Sequence, residues 1–105
     1  MNTGEATDRK LTDFIEEVKR AYRPSVFLLF GSRARGEALA ESDYDFLIVS
    51  SRFEGLALTD RATPIYRLWT LSQDLECLCL TPAEFEKAKK MISLTAKIVE
   101  EGVPA

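Results

Sequence analysis

Asp43 and Asp45 stand one residue apart at the start of an apolar run, Tyr44 to Val49. In an extended chain, residues i and i+2 point to the same face. Two carboxylates therefore face one way at the mouth of a strand, and they repel each other unless a cation sits between them. Oxygen-only donors suit Mg²⁺, which takes one or two protein carboxylates together with substrate phosphates. The bland alternative is a solvated strand start, with Asp43 capping a loop. Upstream, Gly31 and Ser32 sit where a second apolar run, Ser25 to Phe30, meets a helix start. Glycine lets the backbone approach a ligand closely, and helix-start N–H groups with a serine hydroxyl suit a phosphate. A third carboxylate, Glu76, opens the apolar segment Leu75 to Leu80. It is either an edge-strand charge facing water, or a metal ligand or base that takes a proton from an attacking hydroxyl. A phosphate cradle and a metal pair on adjacent strands are the components of metal-assisted phosphoryl or nucleotidyl transfer.

These residues need a scaffold, and the rest of the chain supplies one. Thr7 to Tyr22 reads as a helix, because Leu11, Phe14, Ile15, Val18 and Tyr22 recur along one face. Pro24 ends it. Ser25 to Phe30, Tyr44 to Val49 and Leu75 to Leu80 read as strands, the first buried on both faces. A short helix is expected from Arg33 to Gly36, then a loop from Glu37 to Ser42. A further helix is expected between Thr59 and Ser72: either Thr63 is its N-cap with Pro64 at the first position, or it starts near Asp60 and Pro64 disturbs its interior. Thr81-Pro82-Ala83-Glu84 forms a capping box, predicting a final helix that runs unbroken to about Glu101, with Gly102 just past its end. The order α-β-α-β-α-β-α predicts an α/β fold, a small mixed sheet of three or four strands with packed helices.

Composition bounds the chemistry further. The 105 residues are expected to form one domain. Net charge is −3, which counts against a protein whose main task is gripping nucleic acid. There is no histidine, so Ser-His-Asp and Cys-His catalysis and histidine metal sites are excluded. No apolar run is long enough to span a membrane, and Met1 to Lys10 lacks the apolar core of a signal peptide. A cytoplasmic location is expected. Cys77 and Cys79 share one strand face at the far limit for a disulfide and read as small buried hydrophobes.

The segment Gly31-Ser32-x-Ala34-Arg35-Gly36, followed by Ser42-Asp43-x-Asp45, resembles the signature of the DNA polymerase β-like nucleotidyltransferase superfamily. The match runs through residues 31–46 without a mismatch. The short chain is most similar to the minimal nucleotidyltransferases, the MNT proteins of toxin–antitoxin modules. The topology and the strand-Thr-Pro-x-Glu-Phe segment extend the likeness over nearly all of residues 1–105. The resemblance implies nucleotide binding by Gly31, Ser32, Arg35 and Ser42, and catalysis and metal binding by Asp43, Asp45 and Glu76. Glu76 departs from the usual aspartate by one methylene. The family moves a nucleoside monophosphate, most often AMP from ATP, to a hydroxyl and releases pyrophosphate, with two Mg²⁺ ions. For an MNT protein the acceptor is a tyrosine on a helical HEPN toxin, which makes the chain an antitoxin.

Two features stay open between readings. Arg35 either neutralises a triphosphate or braces the loop through an acidic neighbour, while Arg33 is expected to be exposed and free to touch a partner. On the final helix, Phe85, Ala88, Ile92, Ala96 and Val99 form a core stripe, and Met91, Leu94 and Ile98 form a second. Together they are wider than one core face needs and point to a homo- or hetero-oligomeric contact through that helix. The alternative function is a non-catalytic binding module that blocks a helical partner by occlusion.

Overall fold

A computed structural model describes residues 3–36, 42–91 and 94–105. The first helix, α1 (Thr3–Tyr22), buries Phe14 and Val18 along the stripe read from the sequence. It ends where Arg23 turns left-handed (φ 43°) and Pro24 follows. Strand β1 (Val26–Phe30) leads into a single 3-10 turn over Gly31–Arg33. The expected helix from Arg33 to Gly36 is thus replaced by a turn that begins two residues earlier. The expected loop at 37–41 lies outside the described residues.

Strand β2 (Tyr44–Val49) is the buried centre of the molecule; Phe46, Leu47, Ile48 and Val49 are all within 1 % of full burial. After a second 3-10 turn, two short helices follow, α2 (Leu58–Arg61) and α3 (Thr63–Tyr66). The single helix expected here is therefore two. Thr63 is the first helical residue rather than the cap, and Pro64 still falls in the first turn. Strand β3 (Leu75–Leu80) leads to α4 (Pro82–Lys89), which opens on the full Thr81–Glu84 capping box.

The final helix is broken. Helix α4 closes on short-range bonds, Lys90 N–H to the Lys87 carbonyl and Met91 N–H to that of Ala88, and α5 (Leu94–Glu101) starts afresh. Helix α4 packs on β3 and α5 on β1, two positions across a twisted sheet that one straight rod does not serve. The break resets the helix phase. Ile98, expected on the outer stripe, is 3 % exposed and packs with Leu47, Val49 and Phe85. Val99, expected in the core stripe, is exposed. Ile92 lies outside the described residues, as does the Leu94 side chain. A short strand, β4 (Val103–Pro104), which the sequence reading did not anticipate, adds to the outer side of β1.

The sheet runs β3-β2-β1-β4, with β2 and β3 parallel and the other pairs antiparallel. One face carries Phe27, Tyr44, Phe46, Ile48 and Cys79 against α1 and Ile65. The other carries Leu47 and Val49 against Phe85 and Ile98. Among the described residues no helix is long and apolar enough to cross a membrane.

Candidate active site

Register places three residues in one row on the α4/α5 face. Phe30 at the end of β1 pairs with Asp45 on β2, and Asp45 pairs with Glu76 on β3. Asp43 precedes the first ladder residue of β2 and is exposed, as is Glu76, whereas Asp45 is half-buried. Burial lifts the Asp45 carboxyl above the usual carboxylate range. The Glu76 carboxylate, within hydrogen-bonding reach, adds to this, and Asp43 contributes less. The structure thus brings Asp45 and Glu76 together, with Asp43 at the rim.

Gly31 closes over this row. Its backbone is left-handed (φ 78°), and a Cβ built there would lie 2.6 Å from Asp45 Oδ2. Only glycine allows the turn after β1 to sit this close to the aspartate. Ser32 follows in the same turn, half-buried.

Two clefts flank the row. The larger, of about 380 Å³, is lined by Phe30, Tyr66, Glu76, Cys77, Leu78 and Ile98. The smaller, of about 230 Å³, is lined by Phe30, Gly31, Arg35, Lys97, Ile98 and Glu101. They share Phe30 and Ile98, so they meet over the end of β1. One side offers aromatic and aliphatic surface beside a carboxylate; the other offers two cations beside the Gly31 backbone, with Glu101 at its margin. Arg35 is exposed and faces this smaller cleft.

Arg33 departs from expectation. It is half-buried, its guanidinium lies 3.9 Å over the Tyr44 ring, and it donates twice to the Ser42 carbonyl. The structure thus uses Ser42 through its backbone oxygen as the partner of Arg33. Lys97 and Tyr66 were missed in the sequence. Lys97 looks like any solvated helix charge, and only the tertiary fold brings it to the cleft that Arg35 also lines. The cysteines are free thiols, and burial pushes both up, Cys79 to about 11.

The donor set fits a hard divalent cation. The carboxylates that flank Asp45 disfavour its ionised form, a penalty that a cation relieves. Among the described residues no three acidic or cysteine side chains converge closely enough to hold a metal by themselves. Mg²⁺ asks for less, because it keeps waters and takes substrate phosphates beside one or two carboxylates.

Comparison with known proteins agrees with this geometry. The family profile described as the nucleotidyltransferase domain matches residues 11–102, and the chain belongs to that family. The fold is similar to a crystal structure from Sulfolobus solfataricus provisionally assigned as a nucleotidyltransferase, with a TM-score of 0.61 and 24 % identity over 91 % of this chain and 76 % of that one. It is also similar in fold to BolA1 from Arabidopsis thaliana, with a TM-score of 0.58 and 24 % identity over 71 % of this chain and 94 % of that one. The BolA domain of SufE1 from the same plant gives 0.57 and 23 % over 72 % and 94 %. At these identities the likenesses concern the fold alone. No protein with a curated description matches the chain.

Proposed function

We propose that residues 1–105 form a single minimal nucleotidyltransferase domain that moves AMP from ATP to a protein hydroxyl, with Asp43, Asp45 and Glu76 as its catalytic carboxylates. One observation carries the reading: Asp45 lies in one row with Glu76 while the Gly31 turn closes against its Oδ2. Asp43 and Asp45, with Glu76 beside them, would hold Mg²⁺. The ion would neutralise phosphate charge on both the attacking and the leaving side. Arg35 and Lys97 attract the anionic end of the nucleotide into the smaller cleft, and Gly31 lets its phosphates approach the backbone. Phe30 and Tyr66 offer apolar surface on the larger side. The acceptor oxygen attacks the α-phosphorus, the bond to the bridging oxygen breaks, pyrophosphate leaves, and Glu76 accepts the hydroxyl proton.

The acceptor is a tyrosine on a helical HEPN-type toxin, and the domain acts as its antitoxin in the cytoplasm. The resemblance at residues 31–46 supports this, as does exposed apolar surface at Met91 (58 % exposed), Val99 and Val103. Incubating the protein with ATP, Mg²⁺ and the helical protein encoded beside it tests the reading. AMP on a tyrosine of that protein, found by mass spectrometry, is the expected product. A tight complex with no AMP transferred would favour inhibition by occlusion instead.

A further inference from the structure

Asp43 stands outside the hydrogen-bonded ladder, because β2 begins only at Tyr44. Sheet pairing therefore reaches it from one side only, through the peptide that carries the Tyr44 N–H. The residues on either side of it are held by one side chain from the preceding turn. Arg33 Nη2 donates to the Ser42 carbonyl at 2.7 Å and Nε to the same oxygen at 3.2 Å. The face of the same guanidinium lies 3.9 Å over the Tyr44 ring. Tyr44 is itself closely packed: it is 6 % exposed, stacks with Phe46, meets Trp69 edge-on, and its N–H donates to the Asp74 carbonyl at 2.9 Å.

We propose that Arg33 is a positioning residue that sets the carboxylate of Asp43 by gripping Ser42 and Tyr44 at once. The grip needs a planar, forked cation. One edge donates twice to a single carbonyl while the flat face rests on an aromatic ring. Lysine has the charge but not the plane, so it cannot do both. Arg33 also sits in the Gly31–Arg33 turn, and Gly31 packs against Asp45. One turn therefore bears on both aspartates, through backbone at Asp45 and through a side chain at Asp43. The role assigned to Arg33 rests on the nucleotidyl-transfer reading of Asp43, yet its mechanical part does not.

Arg33→Lys is the test, with Gly55→Ala as a control. Gly55 is also left-handed (φ 84°) and lies in the turn after β2, so its replacement lowers stability without touching the site. Binding of Mn²⁺ to each intact protein is followed with a non-hydrolysable ATP analogue present, alongside kcat and KM for ATP. Exchange of the backbone amides at 42–44 is read separately. The expected result for Arg33→Lys is Mn²⁺ affinity weakened by roughly 10–100-fold, as for other residues that orient a metal ligand. A similar fall in kcat, an unchanged KM and faster amide exchange at 42–44 should accompany it. Gly55→Ala should match wild type in Mn²⁺ affinity and kcat. Wild-type Mn²⁺ affinity and kcat in Arg33→Lys would overturn the proposal. Should wild type itself bind no Mn²⁺ and transfer nothing, the nucleotidyl-transfer reading fails. Exchange at 42–44 then decides the mechanical claim: acceleration supports it and no change overturns it.

Discussion

Replacing Gly31 by alanine separates two costs that the structure places at one residue. The first is backbone strain. At φ 78° an alanine pays about 1–2 kcal/mol for a left-handed conformation. For a domain of this size that lowers Tm by about 5–15 °C. The second is collision. The new Cβ would lie 2.6 Å from Asp45 Oδ2, well inside contact, so the carboxylate or the turn must shift by some tenths of an ångström. Misplacement on the scale of an ångström costs up to about 10²-fold in rate. Gly55→Ala pays the same backbone cost at φ 84°, with no described atom within 4 Å of the new Cβ. Thermal melts and nucleotide-transfer rates on both variants isolate the collision. Gly31→Ala should lose at least as much Tm as Gly55→Ala, and only Gly31→Ala should lose transfer, by between ten- and a hundredfold. A folded Gly31→Ala protein with wild-type transfer would refute the claim that the turn's fit against Asp45 matters.

Three further outcomes follow from particular contacts. Asp45→Asn should raise Tm in metal-free buffer near neutral pH. The carboxyl is raised in the fold by burial and by Glu76, so its ionisation costs stability progressively as pH climbs from the unfolded value through the folded one; a flat difference between the variants from acid to neutral pH would contradict this. Arg61→Met should lose about 1–3 kcal/mol in a denaturant melt, because nearly buried Arg61 donates to the Cys79 and Leu56 carbonyls as well as to Glu84. The Arg61 hydrogen bond, helped by the Thr81 backbone N–H, holds Glu84 down at about 2, so wild type keeps this stability above the ordinary value of 4.5 and loses it as pH falls toward 2; the variant should keep only the shallower slope that Thr81 supports. Cys77 and Cys79 should resist alkylation in the native protein at pH 8, and replacing them with alanine and valine should leave transfer intact, since burial raises both thiols above the working pH.

The ladder positions were readable because they depend on short-range pattern. Tyr44–Val49 and Leu75–Leu80 appear with the boundaries read from their apolar runs, and Thr81 with Glu84 announces α4. The spacing of Asp43 and Asp45 and the placing of Glu76 at a strand start were legible for the same reason. What escaped depends on tertiary structure. Residues 90–93 contain no glycine or proline, so nothing local marks the break between α4 and α5. Extrapolating one helical phase across it put Ile98 outside and Val99 inside, the reverse of the structure. Strand β4 escaped because proline, which has no N–H to donate, reads as a breaker; at a sheet edge it is tolerated. Arg33 looked exposed because its two holds, Ser42 and Tyr44, lie at the far end of the β1–β2 connection, a contact that no periodicity reveals.

The most direct measurement compares ATP labelled at the α-phosphate with ATP labelled at the γ-phosphate, each incubated with Mg²⁺, the protein and its helical partner. The account predicts that α-label appears on the partner, that γ-label leaves in pyrophosphate, and that Asp43→Asn combined with Asp45→Asn abolishes transfer while the protein stays folded. Transfer of γ-label to the partner, or undiminished α-label transfer by the double variant, would contradict it.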